Sequence, residues 1–159
     1  MTVFYTKFKS PICEIILAGN EDGLSNLHLQ TEDGKREFSI EEAWVRNDDF
    51  FTDLTAQIMD FLTGKRSSFD VNLNPQGTEF QKKVWAELCK IPKGETRSYK
   101  EVAIKIGNKN ASRAVGMANS KNPIPLIIPC HRVLGQNGSL TGFAHGLRVK
   151  HRLLEIESD

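Results

Sequence analysis

Asn74-Pro75-Gln76-Gly77 divides this chain into two halves of different pattern. Proline, glycine and two amides in four residues mark a turn or linker. Residues 1–76 carry 7 Lys and Arg against 13 Asp and Glu, whereas residues 77–159 carry 14 against 7. The net charge of +1 therefore hides an acidic half joined to a basic one. Between Gly77 and Arg152 the only acids are Glu79, Glu87, Glu95 and Glu101. That excess points to a polyanionic partner for the second half.

Upstream of the boundary, residues 3–8, 12–18 and 24–29 are rich in strand formers. Ser10-Pro11 and Asn20-Glu21-Asp22-Gly23 separate them, which predicts an antiparallel meander. Residues 31–42 are polar and follow no decisive period. Asp48 or Asp49 is expected to cap a helix that reaches Leu62 and stops at Gly64. Its apolar positions Phe50, Phe51, Leu54, Ile58, Phe61 and Leu62 have helical spacing and read as core. Residues 69–73 suggest one more short strand.

Downstream, the period becomes helical. Thr78 with Gln81 is a capping box for a helix with Phe80, Val84, Trp85 and Leu88 inward, broken by Ile91-Pro92-Lys93-Gly94. Ser98 with Glu101 opens a second helix that ends at Gly107. A third runs from near Asn110 through Arg113, Val115 and Met117 to about Ser120. Two short helices around a Gly-containing turn in basic surroundings suggest a helix-turn-helix over about 98–120. Pro123, Pro125 and Pro129 then impose an extended path, and a last helix covers 147–157. The expected fold is α/β: residues 1–75 as a small sheet-and-helix domain and 76–159 as a mainly helical one.

The chemistry concentrates in Ile127-Ile128-Pro129-Cys130-His131-Arg132-Val133. A thiol with an ordinary pKa of about 8.5 attacks as thiolate, and an adjacent imidazole is a natural activator. Cys13 and Cys89 read as packing residues. Three cysteines suit a reducing compartment better than a disulfide framework. The four His and three Cys show no metal-ligand spacing, and no phosphate-binding glycine motif occurs, so neither metal nor cofactor is expected. No apolar run of about 18 residues and no secretory leader is evident, so a cytoplasmic location is expected. From residue type alone, Tyr99 fits a core aromatic as well as a functional phenol, Arg113 a solvated side chain, and Asn122 a loop brace. Glu157 in the last turn of a helix opposes the helix dipole, which hints at a partner.

Pro129 to Val133, Phe80 to Trp85, Gly94-Glu95-Thr96 with Ser98-Tyr99, Ala111 to Gly116, Asn122-Pro123, and Leu153-Leu154 with Glu157 stand in the order found in one family. In these residues the chain resembles the O6-alkylguanine-DNA alkyltransferases. The resemblance is specific over 77–157 and looser over the first half. It implies a ribonuclease-H-like N-terminal domain and a winged helix-turn-helix. It also implies direct DNA repair: Cys130 takes the alkyl group from O6-alkylguanine irreversibly, with O4-alkylthymine as a second lesion of the same class. His131, acting through a water and oriented by Glu157, would remove the thiol proton. Tyr99 would donate toward guanine N3, and Asn122 would brace the turn before the nucleophile. Because the target atom lies inside the stack, the base is expected to be flipped out, with Arg113 filling the gap from a helix in the minor groove. Ala111, Ser112, Lys121 and Tyr99 are further DNA-binding candidates. Val133, Met117 and the loop residues Phe143, Ala144, His145 and Gly146 are candidate pocket walls. Binding to double-stranded DNA should be nearly sequence-blind and strongly salt-dependent, with the protein a monomer consumed once per lesion.

Three departures from the family stand out. His145 occupies a loop where many relatives have a Gly-Gly pair, which would let it narrow the pocket or contact a phosphate. Phe143 stands in place of Tyr. The zinc ligands of mammalian relatives are missing. A sequence-specific regulator using the helix-turn-helix without chemistry, and a cysteine hydrolase using Cys130-His131 on acyl substrates, are the rival readings.

Overall fold

The computed structural model describes residues 1–135 and 144–158. β1 (Phe4–Lys9), β2 (Glu14–Asn20) and β3 (Gly23–Gln30) form the expected meander. β1 and β2 pair from Phe4 opposite Gly19 to Lys9 opposite Glu14, and β2 pairs with β3 from Glu14 opposite Gln30. Ser10 builds the first turn: its hydroxyl donates to the Cys13 carbonyl and accepts the Ile12 and Cys13 N–H groups. At the second turn Gly23 has φ +139, and an added Cβ would lie 3.0 Å from the Asn72 carbonyl. β4 (Val45–Arg46) pairs parallel to β1, giving the order β3-β2-β1-β4. Two residues are too few for alternation to reveal such a strand in sequence.

A 3-10 turn at Asp49–Phe51 leads into α1 (Thr52–Leu62). Neither expected aspartate caps it. Asp48 has helical backbone angles and gives its carboxylate to Thr6 and Arg46, while the Asn47 side chain accepts the Phe50 N–H at 3.1 Å. Residues 69–73 form no strand, and only Leu73 bridges Leu24. Gln57 of α1 binds the Asp70 N–H and carbonyl, so the segment is held by a side chain at Asp70 and by one isolated backbone bridge at Leu73.

In the second half, both capping boxes form. Thr78 and Gln81 open α2 (Glu79–Leu88), and Ser98 and Glu101 open α3 (Tyr99–Lys105). Gly107, at φ +87, ends the turn after α3, and α4 (Ser112–Ser120) packs against α2 and α3. The Trp85 indole N–H donates to the Ala118 carbonyl at 2.9 Å and pins α2 to α4. β5 (Arg97–Ser98) pairs in parallel with β6 (Val133–Leu134), and α5 (Leu147–Glu157) closes the chain.

The prolines do not hold an extended path. Asn122, 2% exposed, donates to the Ile128 carbonyl at 2.8 Å and accepts the Ile124 N–H at 2.9 Å. These bonds fold residues 122–128 into a compact turn with Leu126 at φ +76, and Cys130–Arg132 continue as one 3-10 turn. A single apolar core runs through both halves, from Ile15, Leu27 and Phe61 to Val84, Ile124 and Leu153. The Leu27 N–H crosses between the halves to the Pro123 carbonyl at 2.9 Å.

Candidate active site

Cys130 sits at the start of its 3-10 turn, 3% exposed. Burial pushes its thiol up to about 11. The Asn122 side chain, the nearby Lys150 and Arg36 charges and a backbone hydrogen bond oppose that rise without reversing it. The Cys130 side chain is therefore a protonated thiol at neutral pH.

His131 is fully buried and does not face that thiol through its outer nitrogen. Nε2 lies 2.6 Å from Glu157 Oε2. Arg132 donates Nε and one terminal nitrogen to the two Glu157 oxygens, both at 2.8 Å, and its other terminal nitrogen to the Ile91 carbonyl at 2.7 Å. Hydrogen bonds from His131 and Arg132 outweigh burial and hold Glu157 down at about 2. An ionised carboxylate only accepts, so Nε2 carries the proton and Nδ1 keeps a lone pair. Nδ1 is buried with no hydrogen-bond partner among the described residues. Desolvation also lowers the His131 pKa. His131 is thus a neutral, buried imidazole anchored at Nε2, with Nδ1 unpartnered among the described residues.

The dipole conflict at Glu157 is thus resolved by Arg132, a residue given no role in the sequence reading although it lies two residues after Cys130 in the Pro129 to Val133 string. Lys150 was also missed. It has no solvent exposure, donates to the Val133 carbonyl at 2.7 Å, and is lowered to about 8 by burial. Its signal was present: Lys150, Leu153 and Glu157 fall on one inward face of α5, so a cation stood in an apolar register. Asn119, 2% exposed, reaches the Cys130 carbonyl at 3.4 Å. Arg36 donates to the Ser120 carbonyl at 3.0 Å from the N-terminal half.

Tyr99 is the first residue of α3. It is half-buried and lies over Gly116 of α4, where an added Cβ would come within 3.9 Å of its ring. Arg113 is exposed on α4, as is Lys121 just beyond it, whereas Ala111 is buried and Ser112 half-buried. Met117, 68% exposed, stands on the outer face of α4 and not in the wall around the buried thiol. Val133 is buried, and its carbonyl is occupied by Lys150. Ala144 and Gly146 lie beside the N-terminal half, and Phe143 falls outside the described residues. His145 is 4% exposed, bonds the Leu29 carbonyl at 3.4 Å and meets the His28 ring edge-on at 5.6 Å. Burial leaves it no surface from which to contact a phosphate, and it drops to about 4. Among the described residues no three His, Cys, Asp or Glu side chains are grouped to hold a metal ion. No helix among them is long and apolar enough to cross a membrane. A cleft of about 570 Å³ between the ends of α1 and α5, lined by Leu62, Lys93 and Arg152 among others, contains none of these candidate residues.

Residues 3–75 match the ribonuclease-like domain of 6-O-methylguanine DNA methyltransferase, and residues 79–159 match its DNA binding domain. The chain is 50% identical over 155 residues to a methylated-DNA–protein-cysteine methyltransferase of Methanosarcina acetivorans, covering 98% of each. It is 43% identical over 157 residues to the Mycobacterium tuberculosis protein of the same name, covering 98% of this chain and 92% of that one. The structure of Mycobacterium tuberculosis OGT in complex with DNA superposes with a TM-score of 0.88 at 41% identity, covering 98% of this chain and 92% of that one. The chain belongs to the methylated-DNA–protein-cysteine methyltransferase family.

Proposed function

We propose that this protein repairs DNA by moving the alkyl group of O6-alkylguanine onto Cys130 and is spent in doing so. One observation carries the reading: a buried thiol stands next to a neutral imidazole whose other nitrogen is anchored by a buried Glu157–Arg132 pair. The Cys130 sulfur attacks the alkyl carbon, the carbon–O6 bond breaks, and its electron pair stays on the base. The thiol proton passes to His131 Nδ1 through a bridging water, which suits a lone pair with no protein partner among the described residues. Glu157 stabilises the imidazolium formed. Tyr99 donates toward guanine N3, so the departing base leaves without net charge.

Because both Cys130 and His131 rest neutral, the proton moves only when an alkylated base is seated against the buried thiol. That arrangement suits a reagent used once, since a resting thiolate would be lost to other electrophiles. The alkyl carbon of a thioether is a poor electrophile, and neither Cys13 nor Cys89 regenerates the acceptor.

The outer face of α4 offers Arg113, Ala114 and Met117, all exposed: one cation among small and apolar side chains. Such a face fits the minor groove, with Arg113 replacing the extruded base. Affinity then comes mainly from phosphates, so it falls steeply with salt and varies little with sequence. The domain division at 75/76, a monomeric state and a cytoplasmic location complete the proposal; three free cysteines suit a reducing compartment.

The test is incubation with a duplex containing O6-methylguanine, followed by intact-mass and peptide analysis. The protein should gain the mass of one CH2 at Cys130, and Cys130→Ser should gain nothing. Modification of Cys13 or Cys89 instead, or turnover of an acyl ester, would sink the reading.

A further inference from the structure

α5 begins without a side chain of its own to cap it. Its N-cap is Gly146 at φ +101, and no side-chain cap bond comes from that position. The carboxylate of Asp33, from the N-terminal half, stands there instead. Its Oδ2 accepts the Arg148 N–H at 3.4 Å, the second residue of the helix, which is where an N-cap oxygen acts. A Cβ on Gly146 would fall within 2.6 Å of both Asp33 oxygens, so glycine is what makes room for the visiting carboxylate. The same short segment grips the chain just before the helix. Thr31 Oγ1 donates to the His145 carbonyl at 2.5 Å, and the Lys35 and Arg36 N–H groups donate to the Ala144 carbonyl at 2.7 and 3.0 Å.

We propose that Asp33 is a positioning residue for alkyl transfer, capping α5 across the two halves and thereby setting where Lys150 and Glu157 stand. α5 spans about 15 Å and carries both groups on one inward face, with Lys150 near its start and Glu157 at its end. A shift of the helix along its axis therefore moves the carboxylate that orients His131 and the cation beside Cys130 together. A negative charge at a helix N-terminus also opposes such a shift through the helix dipole. The idea rests on the alkyl-transfer reading of Cys130.

Asp33→Ala and Asp33→Asn separate the possibilities, since Asn caps as well as Asp. At saturating O6-methylguanine duplex, Asp33→Ala should transfer about fivefold more slowly, with the dissociation constant for unmodified duplex within twofold of wild type. Asp33→Asn should restore the rate to within twofold. Amide hydrogen exchange over residues 147–150 reads the cap even if no alkyl group moves: faster in Asp33→Ala, unchanged in Asp33→Asn. A wild-type rate or wild-type exchange in Asp33→Ala would overturn the proposal. So would equal losses in both variants, or a weakened duplex affinity with an unchanged saturated rate. Failure of the wild-type protein to alkylate Cys130 would overturn the function instead and leave the exchange result to judge the cap.

Discussion

Arg132 holds Glu157 with two nitrogens at 2.8 Å while the same carboxylate lies 2.6 Å from His131, and all three side chains are buried. One carboxylate is therefore shared by two buried side chains, the Arg132 guanidinium and the His131 ring. A buried pair with its remaining donors satisfied is stable as a unit and costly to halve.

Glu157→Gln should leave the Arg132 charge unpaired and destabilise the fold by about 3 kcal/mol in urea unfolding. Alkyl transfer should slow by roughly 10²-fold. Adding Arg132→Met should recover much of the stability and none of the rate. Recovery of both would mean that Glu157 acts only through packing.

The protein should lose stability as pH falls from about 6.5 toward 4. The folded His145 pKa, about 4, lies below its ordinary 6.5, so the unfolded chain binds the proton first. Its contribution is complete above 6.5 and disappears on descent through that window, and the lowered values at His28 and His131 act in the same direction. At 1.36 kcal/mol per unit, His145 accounts for roughly 2–3 kcal/mol between pH 7 and 4.5. Urea midpoints of wild type and His145→Gln at both values should show the smaller slope in the variant.

Iodoacetamide at neutral pH should label exposed Cys89 ahead of Cys130. Alkylated DNA should reverse the order and modify Cys130 alone. Peptide mass spectrometry reads both. Faster labelling of Cys130 would show that the thiolate exists at rest and that burial does not hold the thiol protonated.

Arg113→Ala should reduce transfer from duplex DNA by at least about tenfold and leave transfer from free O6-benzylguanine base unchanged, because a free base needs no extrusion. A parallel loss on both substrates would place Arg113 in the chemistry instead.

Most of this architecture was legible in the chain. Both capping boxes, the meander and the limits of α5 follow from local patterns that the fold then respects. The failures share a cause, namely competition by side chains for backbone groups. Asp48 turns to Thr6 and Arg46, Gln57 takes over Asp70, and Asn122 bends a segment that three prolines alone would leave extended. Lys150 and Arg132 escaped because a buried cation makes sense only once its carbonyl and carboxylate partners are assembled from distant parts of the chain. The phosphate contact expected of His145 failed for the same reason, since its ring packs against Leu29 and His28, 116 residues from Leu29 in the chain.

The continuous core gives the Asn74–Gly77 boundary a limited meaning. Apolar side chains from Ile15 to Leu153 form one cluster, and the Leu27–Pro123 bond is a main-chain link across the divide. Neither half can shed the other without wetting a large part of its own interior. Heating should therefore give a single calorimetric transition with equal van't Hoff and calorimetric enthalpies. A fragment of residues 76–159 should be aggregation-prone. A substitution on the sheet far from any DNA, such as Leu27→Ala, would then change how much active protein a cell keeps without altering one contact to the damaged base.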